Sequence, residues 1–261
     1  MKKLLSISCL TLLYCQTFGQ LSIKEINASL VQVKNGLYAS KYELSNQQYS
    51  HFLNSLKKSN DVRAISVAQI DTTNWLNKQS YNAPYATYYH AHPAYQNYPV
   101  VNISYEAATL YCEWLTKQYN SDPKRKFKKV VFRLPSEEEW MLAARAGKTS
   151  AIYGWPGNEI KNNKGETKGN FRRDPDDMFV GDKKHMTLPD VTAPVNSFSK
   201  NVFGLYNLSG NVAEMTNVQG IAKGGSWKDN PEALKIESKL TYDGKPRVDV
   251  GFRYFVEIME E

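Results

Sequence analysis

Residues 147 to 210 place their apolar side chains at no regular spacing and are rich in Gly, Asn, Asp and Lys. An irregular stretch of this length supplies few backbone partners of its own, so something outside it, an ion or a functional surface, must order it. Disulfides are not available. Of the three cysteines, Cys9 and Cys15 lie near the N-terminus in a segment that reads as a leader, and Cys112 is the one thiol left after it. Stability must come from a core or from bound ions. A chain of 261 residues with 41% apolar and 12% aromatic content is large enough to bury such a core.

The N-terminus reads as an export signal. Lys2 and Lys3 precede an apolar run from Leu4 to Tyr14, which is too short to span a bilayer. Thr17 and Gly19 are small enough for the positions before a peptidase cut, so residues 1–19 form the expected signal peptide and Gln20 the new N-terminus. Cys15 leaves a lipoprotein alternative open, although Tyr14 is bulkier than the residue that usually precedes a lipidated cysteine. The expectation is an exported protein of the periplasm or cell surface, without a transmembrane segment, carrying +5 once the two lysines leave a total of +7.

Three segments have helix starts. Ser45 and Gln48 form a capping box before "NQQYSHFLNSLKK", and Tyr49, Phe52, Leu53 and Leu56 share a face. Ser104 caps "YEAATLYCEWLTKQY", whose inner stripe of Ala107, Ala108, Tyr111, Cys112 and Leu115 turns the thiol inward. Ser136 and Glu139 open "EEEWMLAAR" with acids where the helix dipole favours them, and Gly147 supplies a stop. "VVFRL" at 130–134 and "VGFRYFVEI" at 250–258 read as strands. The class is α+β, with a single domain expected over residues 24–261.

Basic runs such as "KRKFKK" read as solvated surface, and they are not interleaved with the aromatic residues, which argues against nucleic-acid binding. His90 and His92 would point the same way on a strand, but no third metal ligand is identifiable. Trp75 and six tyrosines fall within "NWLNKQSYNAPYATYYHAHPAYQNYP". Such a cluster suits either packing under a loop or recognition of a protein or glycan.

Taken in chain order, "YELSNQQYSHFLNSL", "YPVVNISYEAATLYCEWLTK", "FRLPSEEEWMLAARAG", "YGWPGN", "GNF", "NVFGLYNLSGNVAEMT", "AKGGSWKD" and "VGFRY" resemble the formylglycine-generating enzyme, or sulfatase-modifying factor, family. The resemblance covers residues 42–256 and implies a loop-rich variant of the C-type-lectin-like fold. Within the family, "GGSWKD" is most similar to members associated with gliding motility and type IX secretion.

The family's enzymes oxidise a substrate cysteine with oxygen, using two cysteines after the "GGS" turn to hold copper. Cu(I) favours soft thiolates. The resemblance puts those positions at Asp229 and Leu234, so copper is not expected. Tyr254 stands where many relatives have the disulfide partner of the cysteine equivalent to Cys112, which leaves that thiol free.

The resemblance also implies calcium. Asn211 and Glu214 offer side-chain oxygens, the turn through Val212 offers carbonyls, and hard cations take such ligands. "GNF" suggests a second site at Asn170 and Phe171, with its carboxylate unassigned among Asp174, Asp176, Asp177, Asp182 and Asp190. The alternative for Asn211 and Glu214 is hydrogen bonding within a tight turn. The expected function is therefore that of an exported non-catalytic member, a binding or structural component of the cell envelope linked to secretion or gliding. Its partner would be an envelope protein or a glycan. The competing expectation is an oxidoreductase using other ligands, with Trp227, Asp229 and Arg253 as candidates.

Overall fold

The computed structural model describes residues 22–76, 82–172 and 191–260. The expected leader and Asp174, Asp176, Asp177, Asp182 and Asp190 lie outside them. Among the described residues no helix is long and apolar enough to cross a membrane.

Helix starts follow side-chain caps. Ser22 and Glu25 close a capping box at α1 (Ile23–Ser29). Ser45 and Gln48 do so at α2 (Asn46–Ser59) and Ser136 and Glu139 at the later α6 (Glu137–Arg145). Each box satisfies N–H groups that the helix itself cannot. Asp61 caps α3 (Val62–Val67), α4 (Tyr85–Tyr88) is a single turn, and the Ser104 hydroxyl caps α5 (Tyr105–Ser121). α6 ends at Arg145, two residues before the expected glycine stop, because Ala146 already takes the left-handed conformation at φ 47°.

Two four-stranded sheets frame the molecule. The first has the order β1 (Leu30–Lys34), β2 (Leu37–Ser40), β8 (Phe255–Glu260), β3 (Lys129–Arg133), and all its pairings are antiparallel. The second has the order β6 (Lys239–Thr241), β5 (Ile221–Lys223), β4 (Ala213–Met215), β7 (Val250–Gly251), and β4 and β7 run parallel. The single strand expected at 250–258 is thus two strands in different sheets. The chain crosses between them at Phe252–Tyr254, and Arg253 turns inward there to meet a buried carboxylate.

α2 and α5 pack a continuous core through Tyr49, Phe52, Tyr111 and Cys112. The rings of Phe52 and Tyr111 meet edge to face at 5.4 Å, a favoured aromatic geometry. A second cluster joins Trp140, Ala143 and Ala144 of α6 to Leu205, Leu208 and Phe255.

In the described parts of the irregular region, residues 147–172 and 191–210, side-chain and backbone hydrogen bonds tie the chain to distant segments. Asn201 Nδ2 donates to the Ala143 carbonyl at 2.8 Å, and its Oδ1 accepts from Leu205 N at 3.0 Å. Ser209 Oγ accepts from Gly154 N at 2.9 Å and donates to the Leu234 carbonyl at 2.7 Å. Asn211 N donates to the Asn170 carbonyl at 2.7 Å. Gly210 makes that approach with φ 89°, where a Cβ would stand 2.4 Å from the Asn170 oxygen. No other residue fits there.

The His90–His92 pair is not on a strand, as expected, but in the turn between α4 and a short 3-10 helix at Pro93–Tyr95. His90 Nδ1 meets Asn46 Oδ1 at 2.9 Å, whereas His92 Nδ1 accepts from Ala94 N at 3.2 Å and caps the next turn. A strand's shared orientation does not exist here.

Candidate functional site: a buried ion-pair centre beside the glycine turn

β4 carries Glu214 into the interior, and the crossover after β7 brings Arg253 against it. Arg253 Nε donates to Glu214 Oε2 at 2.7 Å and Nη2 to Oε1 at 2.5 Å. The same guanidinium donates to the carbonyls of Ser40 (3.0 Å), Lys41 (3.2 Å) and Tyr206 (2.7 Å), so all five of its N–H groups have an acceptor. Trp140 Nε1 from α6 adds a third donor to the carboxylate, 2.7 Å from Glu214 Oε2. Arg253 is 0% exposed and its Glu214 partner 1%. A pair so completely saturated can organise a core but has no free group to offer a substrate.

Glu43 stands beside this pair. Its oxygens accept from Asn207 Nδ2 at 2.9 Å, from Asn211 Nδ2 at 2.8 Å and from Val212 N at 3.4 Å. Burial and then the Glu214 charge push its carboxyl up to about 8, against a usual 4.5. Near neutral pH this group therefore favours its protonated form. Arg253 pairs with Glu214, and holding the proton on Glu43 avoids an uncompensated buried charge.

The side chains expected to ligate calcium are engaged by N–H donors instead. Asn211 Oδ1 accepts from Ala193 N at 2.7 Å and from Asn170 Nδ2 at 3.2 Å, and the Asn211 carbonyl accepts from Trp227 N at 3.0 Å. Both Glu214 oxygens face Arg253. Val212 packs in an apolar cluster with Trp75 and Tyr89, and Phe171 in another with Tyr153, Trp155 and Leu234. Calcium needs six to eight oxygens turned toward one point. Asn211 and Glu214 do not meet that requirement, and among the described residues no group of three or more His, Cys, Asp or Glu could hold a metal. In this structure Asn211 and Glu214 belong to a network centred on Glu43, Asn211 and the Arg253 pair. Asn170 serves that network too, donating to the Val191 carbonyl at 2.8 Å.

The glycine turn itself is closed. Asp229 Oδ2 accepts from Ser226 N at 2.8 Å and from Ser226 Oγ at 2.7 Å, and the Asp229 carbonyl accepts from Arg172 N at 2.9 Å. Leu234, five residues on, is fully buried among aromatic rings. Trp227 is half-buried, with its Nε1 3.3 Å from the Val248 carbonyl and its ring under Lys228 Nζ at 5.1 Å. Thus the candidates Trp227, Asp229 and Arg253 are each committed to the fold, and Arg253 sits in the ion pair rather than at the turn. Cys112 is buried in α5, where desolvation pushes its thiol well above the ordinary range. A thiol held protonated is neither a copper ligand nor a nucleophile.

Residues 16–258 match the sulfatase-modifying factor enzyme 1-like domain. The chain belongs to this family. Among curated relatives of this sulfatase-modifying-factor chain, the inactive C-alpha-formylglycine-generating enzyme 2 of Bos taurus is 34% identical over 52% of the chain and 40% of its own length. A formylglycine-generating enzyme of Thermomonospora curvata is 38% identical over 45% of the chain and 32% of its own length. The chain thus spans less than half the length of these relatives. The crystal structure of CarF superposes with a TM-score of 0.56 at 21% identity, covering 86% of this chain and 87% of that one. The C-type-lectin-like variant expected for the family is therefore the fold found.

Sequence reasoning did not single out Glu43, Trp140 or Asn207, which hold the centre together. A glutamate between Tyr42 and Leu44, two residues before a helix cap, was the available signal, since a charge in an apolar context is costly unless it is paired or protonated.

Proposed function

We propose that this chain is an exported, non-catalytic member of the sulfatase-modifying factor family that serves as a binding or structural component of the cell envelope. One observation carries the reading. At the two positions where the family's oxidases place copper-binding thiolates, this chain has a carboxylate tied to Ser226 and a leucine packed among Tyr153, Trp155 and Phe171. Neither can hold Cu(I) as a thiolate does. The Bos taurus relative named an inactive enzyme supports the same direction.

A link to secretion or gliding rests on the likeness of "GGSWKD" to members of that kind, and is associational. Export rests on the N-terminal pattern of lysines, apolar run and small residues. The partner is an envelope protein or a glycan, bound without copper or oxygen.

The test has two arms, one on the purified mature protein and one in native envelopes. Competition against a Cu(I) chelator and oxygen uptake with a cysteine-containing peptide should both give no signal above a protein-free control. Crosslinking in native envelopes should capture a defined partner in the presence of a copper chelator. Copper-dependent oxygen uptake would overturn the reading.

A further inference from the structure

The tyrosine-rich turn of residues 85–98 is held on the N-terminus of α2 by a network that includes one histidine. The first amides of that helix donate into the turn, Asn46 N to the Tyr98 carbonyl at 2.8 Å and Gln47 N to the Gln96 carbonyl at 3.0 Å. Asn46 Nδ2 donates to the carbonyls of Tyr89 and Tyr95, both at 3.0 Å. Its Oδ1 is therefore left to accept, and it does so from His90 Nδ1 at 2.9 Å. These partners fix the tautomer: Nδ1 carries the proton and Nε2 the lone pair.

His90 Nε2 is closed off from solvent and has no hydrogen-bond partner. Among the described residues no group stands ready to compensate a positive charge there. The ionisable groups packed beside the ring are phenols: Tyr89 lies 4.8 Å away edge to face, and Tyr95 and Tyr98 pack on Tyr89. On the approach to α2, Glu43 has a carboxyl raised to about 8 and is uncharged in acid. Farther along the helix His51 faces Glu25 of α1, and His92 turns to Ala94 N. The N-terminus of α2 adds the positive end of its dipole. A second N–H, at Nε2, would have neither an acceptor nor water unless the ring left its place.

We propose that protonation of His90 releases the turn 85–98 from α2, so that the aromatic cluster is closed near neutral pH and opened by acid. In the closed form Tyr89 is fully buried, stacked on Tyr95 and 5.1 Å from the Trp75 ring. Opening bares these rings, a rigid amphipathic surface of the kind that protein and glycan contacts use. Packing and recognition, the two readings of the tyrosine cluster, become the neutral and the acid state of one segment. The release itself does not rest on the binding role proposed above. Its direction follows from burial, which pushes His90 down to about 3 from the usual 6.5. The contribution of His90 to the closed form is thus fully present above pH 6.5 and is lost as pH falls toward 3. Within that window opening should rise by up to about tenfold per pH unit. Glu43 acts in the opposite sense, so a melting temperature mixes the two and the readout must be local.

The experiment is amide hydrogen exchange of the purified protein, followed by NMR between pH 7 and pH 4.5 and corrected for the intrinsic pH dependence of exchange. The reporters are the amides of Asn46 and Gln47, which donate into the turn, and those of α5 serve as the global reference. Protection at Asn46 and Gln47 should fall at least tenfold across the range while α5 stays protected. His90→Asn keeps an amide donor near the place of Nδ1 and cannot titrate, so it should abolish the fall. His92→Gln, at an exposed position, should retain it. Unchanged protection in the wild type, an equal fall in His90→Asn, loss of the fall in His92→Gln or a parallel fall throughout α5 would each overturn the proposal. The wild-type series and His92→Gln decide the matter even where His90→Asn is already open at pH 7.

Discussion

Arg253 and Glu214 face each other through two hydrogen bonds of 2.7 and 2.5 Å at the point where the chain leaves one sheet for the other. The pair is therefore a junction as well as a charge contact. Removing one partner strands a buried charge, which costs about 3–5 kcal/mol. Arg253→Met should lower the free energy of unfolding by that amount. The double variant Arg253→Met with Glu214→Leu should be less destabilised than the sum of the singles, because no lone charge remains. Urea unfolding of all four proteins measures it, and strict additivity would contradict the coupling.

Glu43 gives the fold a pH dependence of definite sign. Its carboxyl is raised to about 8 in the folded state, against about 4.5 ordinarily. The folded chain thus holds a proton that the unfolded chain has lost. This contribution is fully present below pH 4.5 and disappears as pH rises toward 8. Glu43→Gln, which cannot ionise, should flatten the decline in melting temperature across that window and should melt higher than wild type at pH 9. A variant curve parallel to wild type from pH 5 to 9 would remove Glu43 as its source.

Cys112 should be silent in the native state. It is 2% exposed on the inner face of α5, and burial raises its thiol, so the thiolate that reacts with probes is scarce. Labelling should require denaturant and should track unfolding measured by circular dichroism. Stoichiometric labelling of the folded protein within minutes would show that the helix face is open.

What was legible in the sequence was local. The capping boxes at Ser45 and Ser136, the inward stripe holding Cys112 and the family's ordered segments depend on neighbours a few residues apart, and they stand as expected. What was not legible depends on pairings over long separation. Glu43 meets Asn211 across 168 positions, and Trp140 reaches Glu214 across 74; no local period encodes either contact. The same distance effect split the strand at 250–258, because the alternation there does not reveal that Arg253 turns inward. Residues 147–210 had suggested an ion for the same reason. In their described parts, 147–172 and 191–210, the ties run through Asn201, Ser209 and the neighbouring Asn211, which reach Ala143, Leu234 and Asn170 far along the chain.

Asn211 separates a hydrogen-bond hub from a calcium site. At a calcium site, Asn211→Asp would add an anionic oxygen and strengthen calcium's effect on stability. In the observed network, the amide donates to Glu43 and to the Ala193 carbonyl at 3.2 Å, and aspartate removes both donors while placing a second carboxylate against Glu43. Each lost hydrogen bond that leaves a buried group unsatisfied costs about 1–3 kcal/mol. Asn211→Asp should therefore lower the melting midpoint by several degrees, and by the same amount in calcium and in chelator. Scanning calorimetry of wild type and variant in both buffers, at one pH and ionic strength, makes the comparison. A variant rescued by calcium would restore the metal reading for this turn, whereas equal losses in the two buffers assign it to the Glu43 network.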